Sequence, residues 1–190
     1  MNDQTSDDVV ELMREANRLR FERPHDAHRL YAEAIERCRQ AGKNRELIRA
    51  LKGLGQIERD LENGAAALAL YEEAAALCRK EGDALMLAHT VRHVGDIHQE
   101  GGRDDLAEPC YNEALSIYRC DNETLALDLA NTIRPFALLK ENAGEVEEAK
   151  RLWAEARDLY AVANVAQGVA ESSRRLGRLE SRSGLESLSC

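Results

Sequence analysis

Aromatic residues make up only 4% of this 190-residue chain, and prolines number three. A core must therefore be built from aliphatic side chains and alanine. β-Branched residues are sparse and no stretch alternates for long with period two, which excludes a sheet. No apolar run approaches the roughly 20 residues that span a bilayer. The opening stretch Met1-Asn2-Asp3-Gln4-Thr5-Ser6-Asp7-Asp8 is acidic and polar, unlike a secretion signal. Basic charge is also short: the net charge of −9 argues against a nucleic-acid binder, which needs a basic face to meet phosphates. The five cysteines are an odd set with no CxxC pair. A reduced, cytoplasmic protein with no membrane partner is the expectation.

Catalytic signatures are missing too. Gly53-x-Gly55 has no preceding strand to make it a phosphate-cradling loop. There is no Gly-x-Ser-x-Gly elbow and no HExxH. Acidic pairs such as Glu72-Glu73 and Glu147-Glu148 fall on the solvent side of amphipathic helices. No enzyme and no cofactor are expected.

What the chain does contain is a repeat. Tyr31, Tyr71, Tyr111 and Trp153 recur at spacings of 40, 40 and 42 residues. An alanine stands four residues before each (Ala27, Ala67, Ala107, Ala149) and another three after (Ala34, Ala74, Ala114, Ala156). Seven residues on come Cys38, Cys78, Tyr118 and Tyr160, so the two cysteines occupy a core position rather than a disulfide. Next come Gly42, Gly82, Asn122 and Asn164, residue types that tolerate the left-handed backbone ending a helix. A second helix follows each stop, with cores Leu51-x-x-Leu54-Gly55, Val91-x-x-Val94-Gly95, Ile133-x-x-Phe136-Ala137 and Ser173-x-x-Leu176-Gly177.

The pattern predicts A helices over 8–22, 44–62, 84–100, 123–142 and 163–183, and B helices over 25–41, 65–81, 104–119 and 146–160. Residues 1–6 are expected to fray, with Asp7 or Asp8 capping the first helix. Pro24 suits the first turn of the second. Turns at Asn63-Gly64, Gly101-Gly102, Gly144 and Gly184 should end the A helices. The last A helix carries Glu171, Ser172, Ser173, Arg174, Arg175, Arg178, Glu180, Ser181 and Arg182 on its outer positions, as a polar capping helix would.

These residues resemble the tetratricopeptide repeat, in a long variety of about 40 residues. Leu51, Leu54, Gly55, Ala67, Tyr71 and Ala74 fill its pattern, as do Val91 to Ala114 and Ile133 to Ala156 in the next two repeats. The resemblance implies an all-α, right-handed superhelical solenoid of antiparallel helix pairs. It divides the chain as one domain, 1–190, into repeats at about 8–42, 43–82, 83–122 and 123–161 and a capping helix at about 163–184. It is similar to the repeats of bacterial signalling regulators and kinesin light chains, which bind peptides or partner proteins. It further implies that the A helices line a concave binding groove.

On that expected face one basic residue recurs per repeat: Lys52, Arg92, Arg134 and Arg174. Arg49, His89 and Asn131 stand three residues earlier, and Arg59 and Gln99 seven later. With Asn17, Gln56 and Asp96 these make the candidate groove. Such cations would attract a carboxylate-bearing or acidic segment. Equally, they are solvated, or pair with Glu58, Asp60, Asp96 or Glu100 on neighbouring helices. The Lys-x-x-x-Asn clamp for C-terminal carboxylates known in this family is broken by Met13 ahead of Asn17. Three readings follow. The first is a non-enzymatic adaptor for a protein or peptide. The second is a self-associating assembly module. The third is a metal sensor or enzyme on the helix face of His89, His93 and Asp96, spaced i, i+4 and i+7.

Overall fold

Alanine at the contact positions and straight-chain residues on the solvent side favour helices throughout, and a helix can bury its apolar stripe only against another helix. The structure, a computed structural model, describes the backbone of residues 2–187 and the side chains of residues 8–181. Among the described residues it is all helix. α1 (Asn2–Leu19), α2 (Pro24–Ala41), α3 (Asn44–Asp60), α4 (Gly64–Glu81) and α5 (Ala84–Glu100) are followed by α6 (Asp104–Cys120), α7 (Ala126–Asn142), α8 (Val146–Val162) and α9 (Ala166–Ser187). The odd-numbered helices are the A helices and the even-numbered ones the B helices. They make four pairs and a ninth, capping helix.

The chain forms two compact units, residues 1–101 and 102–190. In the first, α1 to α5 each pack on their sequence neighbours, and α1 also touches α3. Its core is aliphatic and alanine-rich, with Ala27, Ala34, Cys38, Leu51, Ala74 and Cys78 fully buried. In the second, α6 to α9 pack in the same way around Ile133, Ala149, Ala156 and Trp153. Tyr118 and Tyr160, which replace the two cysteines, are likewise buried.

The repeat aromatics are admitted by small residues opposite. A Cβ on Gly55 would come within 2.9 Å of the Tyr71 ring. The sequence pattern singles out that glycine. It does not single out Gly53 or Gly168, yet a Cβ there would collide with the rings of Tyr31 and Tyr160. At Gly177 a Cβ meets nothing within 4 Å.

Several boundaries differ from expectation. α1 begins at Asn2, so residues 2–6 continue the helix and neither Asp7 nor Asp8 caps it. Acidic residues in a first turn favour the helix dipole, consistent with that extension. Gly42, Gly82 and Asn164 do adopt positive φ, but Asn122 does not. There Asp121 leaves α6 in an extended conformation, φ −108° and ψ 121°, and its Oδ1 accepts from the Glu123 backbone N–H at 2.8 Å. The longer connection delays α7 to Ala126 rather than 123 and accounts for the spacing of 42 in place of 40. In the A-to-B turn between α3 and α4 the left-handed residue is Glu62, φ 62°, at the position that Gly102 and Gly144 fill in later repeats. Gly64 instead opens α4. Gly184 does not stop α9, which runs through it to Ser187, since an interior glycine costs a helix only about 1 kcal/mol. Ser172, expected on the outer side, is fully buried.

Candidate functional site

In the first unit the polar residues of α1, α3 and α5 form one connected face. Arg20, just past the end of α1, pairs with Asp60 on α3 through both carboxylate oxygens, at 2.5 and 3.0 Å. Gln56 donates to the same carboxylate at 3.0 Å. One helix on, Arg59 grips Glu100 of α5 and reaches Asp96 at 3.4 Å. Asp96 also receives Arg92 at 3.0 Å. His93 lies 2.8 Å from the other Arg92 nitrogen and stacks on the Tyr71 ring at 5.0 Å. Asn17 and Gln56 accept the hydroxyl protons of Tyr31, at 2.8 Å, and Tyr71, at 3.5 Å. Two predicted groove residues thus also satisfy the polar tips of core aromatics, which a buried tyrosine requires.

Burial dominates the electrostatics. It lowers His89 to about 2 and His93 to about 4, with neighbouring cations adding to the effect, so both rings are neutral. Burial also lowers Lys52, to about 8, and repulsion from Arg92 and Arg49 adds to this. For Arg59 burial acts downward, but the bond to Glu100 and the charge of Asp96 outweigh it and hold the guanidinium firmly charged. Asp96 is pushed up by burial, yet its bond with His93 and the charges of Arg92 and Arg59 leave it below the ordinary carboxylate value.

The cations differ sharply in what they touch. Lys52 has Met86 Sδ at 2.8 Å, a weak acceptor, and no carboxylate. Its nearest acidic influence, Asp83, is occupied in capping α5 through the Met86 backbone N–H at 3.1 Å. Arg49 is exposed and unpaired. The Nδ1 of His89 is buried with no hydrogen-bond partner. Gln99 is half-buried on the same helix, α5.

Three predicted residues lie in the second unit. Asn131 accepts from the Tyr160 hydroxyl at 3.1 Å, repeating the role of Asn17. Arg134 pairs bidentately with Glu171 of α9 at 2.8 and 3.0 Å. Arg174 is exposed and acts on Glu171 only through space. Nearby, Glu141 joins Arg175 at 3.1 Å to the Trp153 indole N–H at 3.0 Å, a link the sequence reading did not foresee. Its signal was the tryptophan, whose N–H needs an acceptor when buried.

The metal reading gains nothing. Among the described residues no group of three or more histidine, cysteine or carboxylate side chains is arranged to hold an ion. Asp96 is shared between two guanidinium groups, which would repel a cation. Among the described residues, no helix is long and apolar enough to cross a membrane.

Residues 46–119 match the family model of the tetratricopeptide repeat. Among curated proteins none matches significantly. Solved structures with the same fold include aspartyl phosphate phosphatase F from Bacillus subtilis. It is 12% identical, with a TM-score of 0.83 over 95% of this chain and 47% of that one. A Rap protein complexed with competence and sporulation factor is 17% identical, with a TM-score of 0.59 over 92% and 52%. A kinesin light chain-type protein of Podosopora anserina, with nearly identical TPR-like repeats, is 13% identical, with a TM-score of 0.71 over 93% and 87%. The chain thus spans about half the length of the first two. The repeats holding Tyr71 and Tyr111 thus lie in the stretch, residues 46–119, that matches the tetratricopeptide repeat, and the chain shares its fold with these solved structures.

Proposed function

We propose that the protein is a non-enzymatic adaptor whose A-helix face holds a segment of a partner protein, and that this segment carries carboxylates. The observation that carries the reading is that Arg49 and Lys52 stand on this face without a protein carboxylate, in a chain of net charge −9. An acidic surface with a local cationic spot selects and orients an acidic ligand while repelling acidic strangers elsewhere. The Rap protein seen with competence and sporulation factor supports a ligand-holding role for this type of stack. Buried, unbridged Cys38 and Cys78 suit a reducing compartment such as the cytoplasm.

The test is affinity capture from native lysate, comparing the wild type with an Arg49→Glu, Lys52→Glu, Arg174→Glu variant. None of these three belongs to an inter-helix ion pair, so circular dichroism should report unchanged helicity. A partner retained by the wild type and lost by the variant is expected. Equal recovery by both would overturn the reading.

Self-association is the second reading, favoured by one feature. Leu12 and Leu30 line a shallow depression on α1 and α2, and Phe21, in the turn between these helices, is 82% exposed. Light scattering across concentration separates it from the first: mass rising with concentration supports it.

A further inference from the structure

Two helix faces lack the neighbour that the other repeats supply, one in each unit. In the first unit the open face is on α1. Asp8, Glu11, Leu12 and Glu15 stand thirty-nine residues before Leu47, Ala50, Leu51 and Leu54, at equivalent positions of α3. On α3, which packs on the preceding α2, all four are buried. No helix precedes α1 among the described residues. There Leu12, with Leu30 of α2, floors an open groove of about 570 Å³ rimmed by Asp8, Glu11, Glu15 and Arg37. Glu11 and Glu15 form ion pairs with Arg14 and Arg18 on the same helix, exposed contacts of little strength.

In the second unit the open face is on α9. Gly177 stands where Gly55 admits the Tyr71 ring of the following helix and where Ala137 is fully buried. A Cβ on Gly177 would meet nothing within 4 Å. Ala170, Ser173, Arg174, Arg178 and Ser181 share its side of the helix and are exposed. Neither Arg174 nor Arg178 pairs with a carboxylate among the described residues. The two faces are complementary. One is concave, and the other is smooth enough for a second helix to come close. One is rimmed by carboxylates, and the other carries two unpaired guanidinium groups. Two acidic faces, or two arginine faces, would repel, so like does not pair with like.

We infer that the α1–α2 groove of one copy seats α9 of a second copy, with Arg174 and Arg178 at the carboxylate rim and Gly177 over Leu12 and Leu30. This rests on the self-association reading and gives it a polarity. The contact is heterologous, so it repeats until a ring closes or runs on as an open chain. The apolar floor supplies contact energy, while the charges at the edge set orientation and exclude the reverse pairing.

The test is the mass of the full chain by sedimentation velocity across concentration, in the wild type and in two variants that each spoil one end. Glu11→Lys with Glu15→Lys reverses the rim, and Arg174→Glu with Arg178→Glu reverses the α9 face. None of these four side chains ties two helices together, so circular dichroism should report unchanged helicity. Wild-type mass should rise with concentration, and rise less at about 0.5 M salt, where charges are screened within a few ångströms. Each variant alone should associate about a hundredfold more weakly, because like charges then meet across the contact. Mixed in equal amounts, the two should form a dimer and stop there. The intact α9 of the first fits the intact groove of the second, and both remaining ends are spoiled. That dimer also reports that both variants are folded. Gly177→Leu, which has room within a single copy, should block growth without altering any charge.

Variants that associate like the wild type would overturn this contact and leave self-association through another surface. Variants that are monomeric alone and stay monomeric when mixed would overturn the head-to-tail polarity. A wild type that stays monomeric at every concentration would overturn self-association and this contact together, leaving the adaptor reading untouched.

Discussion

A lysine kept desolvated without a carboxylate should cost the fold stability, and removing it should show that cost. Lys52 titrates near 8 in the folded protein instead of 10.5. Its folded pKa is depressed, so between about pH 8 and 10.5 the unfolded chain binds more protons than the folded one, and stability rises with pH across that window. Below about 8 both states are protonated and the full penalty applies. The shift of about 2.5 units corresponds to about 3 kcal/mol, which partial solvent access of the side chain reduces to about 2. Lys52→Met retains the stem packing against α5 and removes the charge. At pH 7 the variant should be more stable than the wild type by about 2 kcal/mol, or about 4–8 °C in melting temperature for a chain of this length. The gain should shrink steadily toward pH 10. Urea or thermal unfolding followed by circular dichroism at pH 7, 8.5 and 10 measures it. A destabilised variant, or a gain independent of pH, would refute the argument that Lys52 is a half-buried cation without a compensating carboxylate. A lysine that lowers stability where methionine would raise it fits a position kept for binding.

Other outcomes follow from the same geometry. Gly53→Ala should destabilise by about 1–2 kcal/mol, because its methyl collides with Tyr31 and overpacking exceeds the gain in helix propensity. Gly177→Ala, facing open space, should stabilise by up to about 1 kcal/mol, and a paired urea titration separates the two. Glu62→Gly should stabilise by about 1 kcal/mol, since it relieves a left-handed non-glycine residue where later repeats use Gly102 and Gly144. His93, near 4 when folded and 6.5 when free, is depressed, so its contribution is complete above about pH 6.5 and is lost as pH falls toward 4. Stability should drop by about 2 kcal/mol between pH 6.5 and 5 from this ring alone. His93→Gln, still able to bond Arg92, should flatten that part of the pH profile in denaturant melts.

The sequence carried the helix pattern because packing imposes it locally. Tyr71 with Ala67 and Ala74 on one face is visible at a fixed period, and so is the left-handed stop at Gly42 and Gly82. Asn122 looked like the same stop, but the competing Asp121 turn is a choice between two nearby polar residues that periodicity does not rank. Gly53 and Gly168 were silent for a different reason. Their meaning lies in a ring on another helix, and nothing in their own surroundings announces it.

For the candidate site, residue type and spacing alone placed Lys52, Arg92, Arg134 and Arg174 at equivalent positions of successive A helices. They could not tell a cation that is spent from one that is available. That depends on whether a carboxylate on the next helix falls within a few ångströms. Glu171 does so for Arg134, while Met86 stands there for Lys52. Periodicity therefore determined which residues hold equivalent positions on their own helices, because equal spacing on like helices gives like direction. Only tertiary packing decided which of them meet a carboxylate within the protein, because pairing and desolvation act across helices that are distant in the chain.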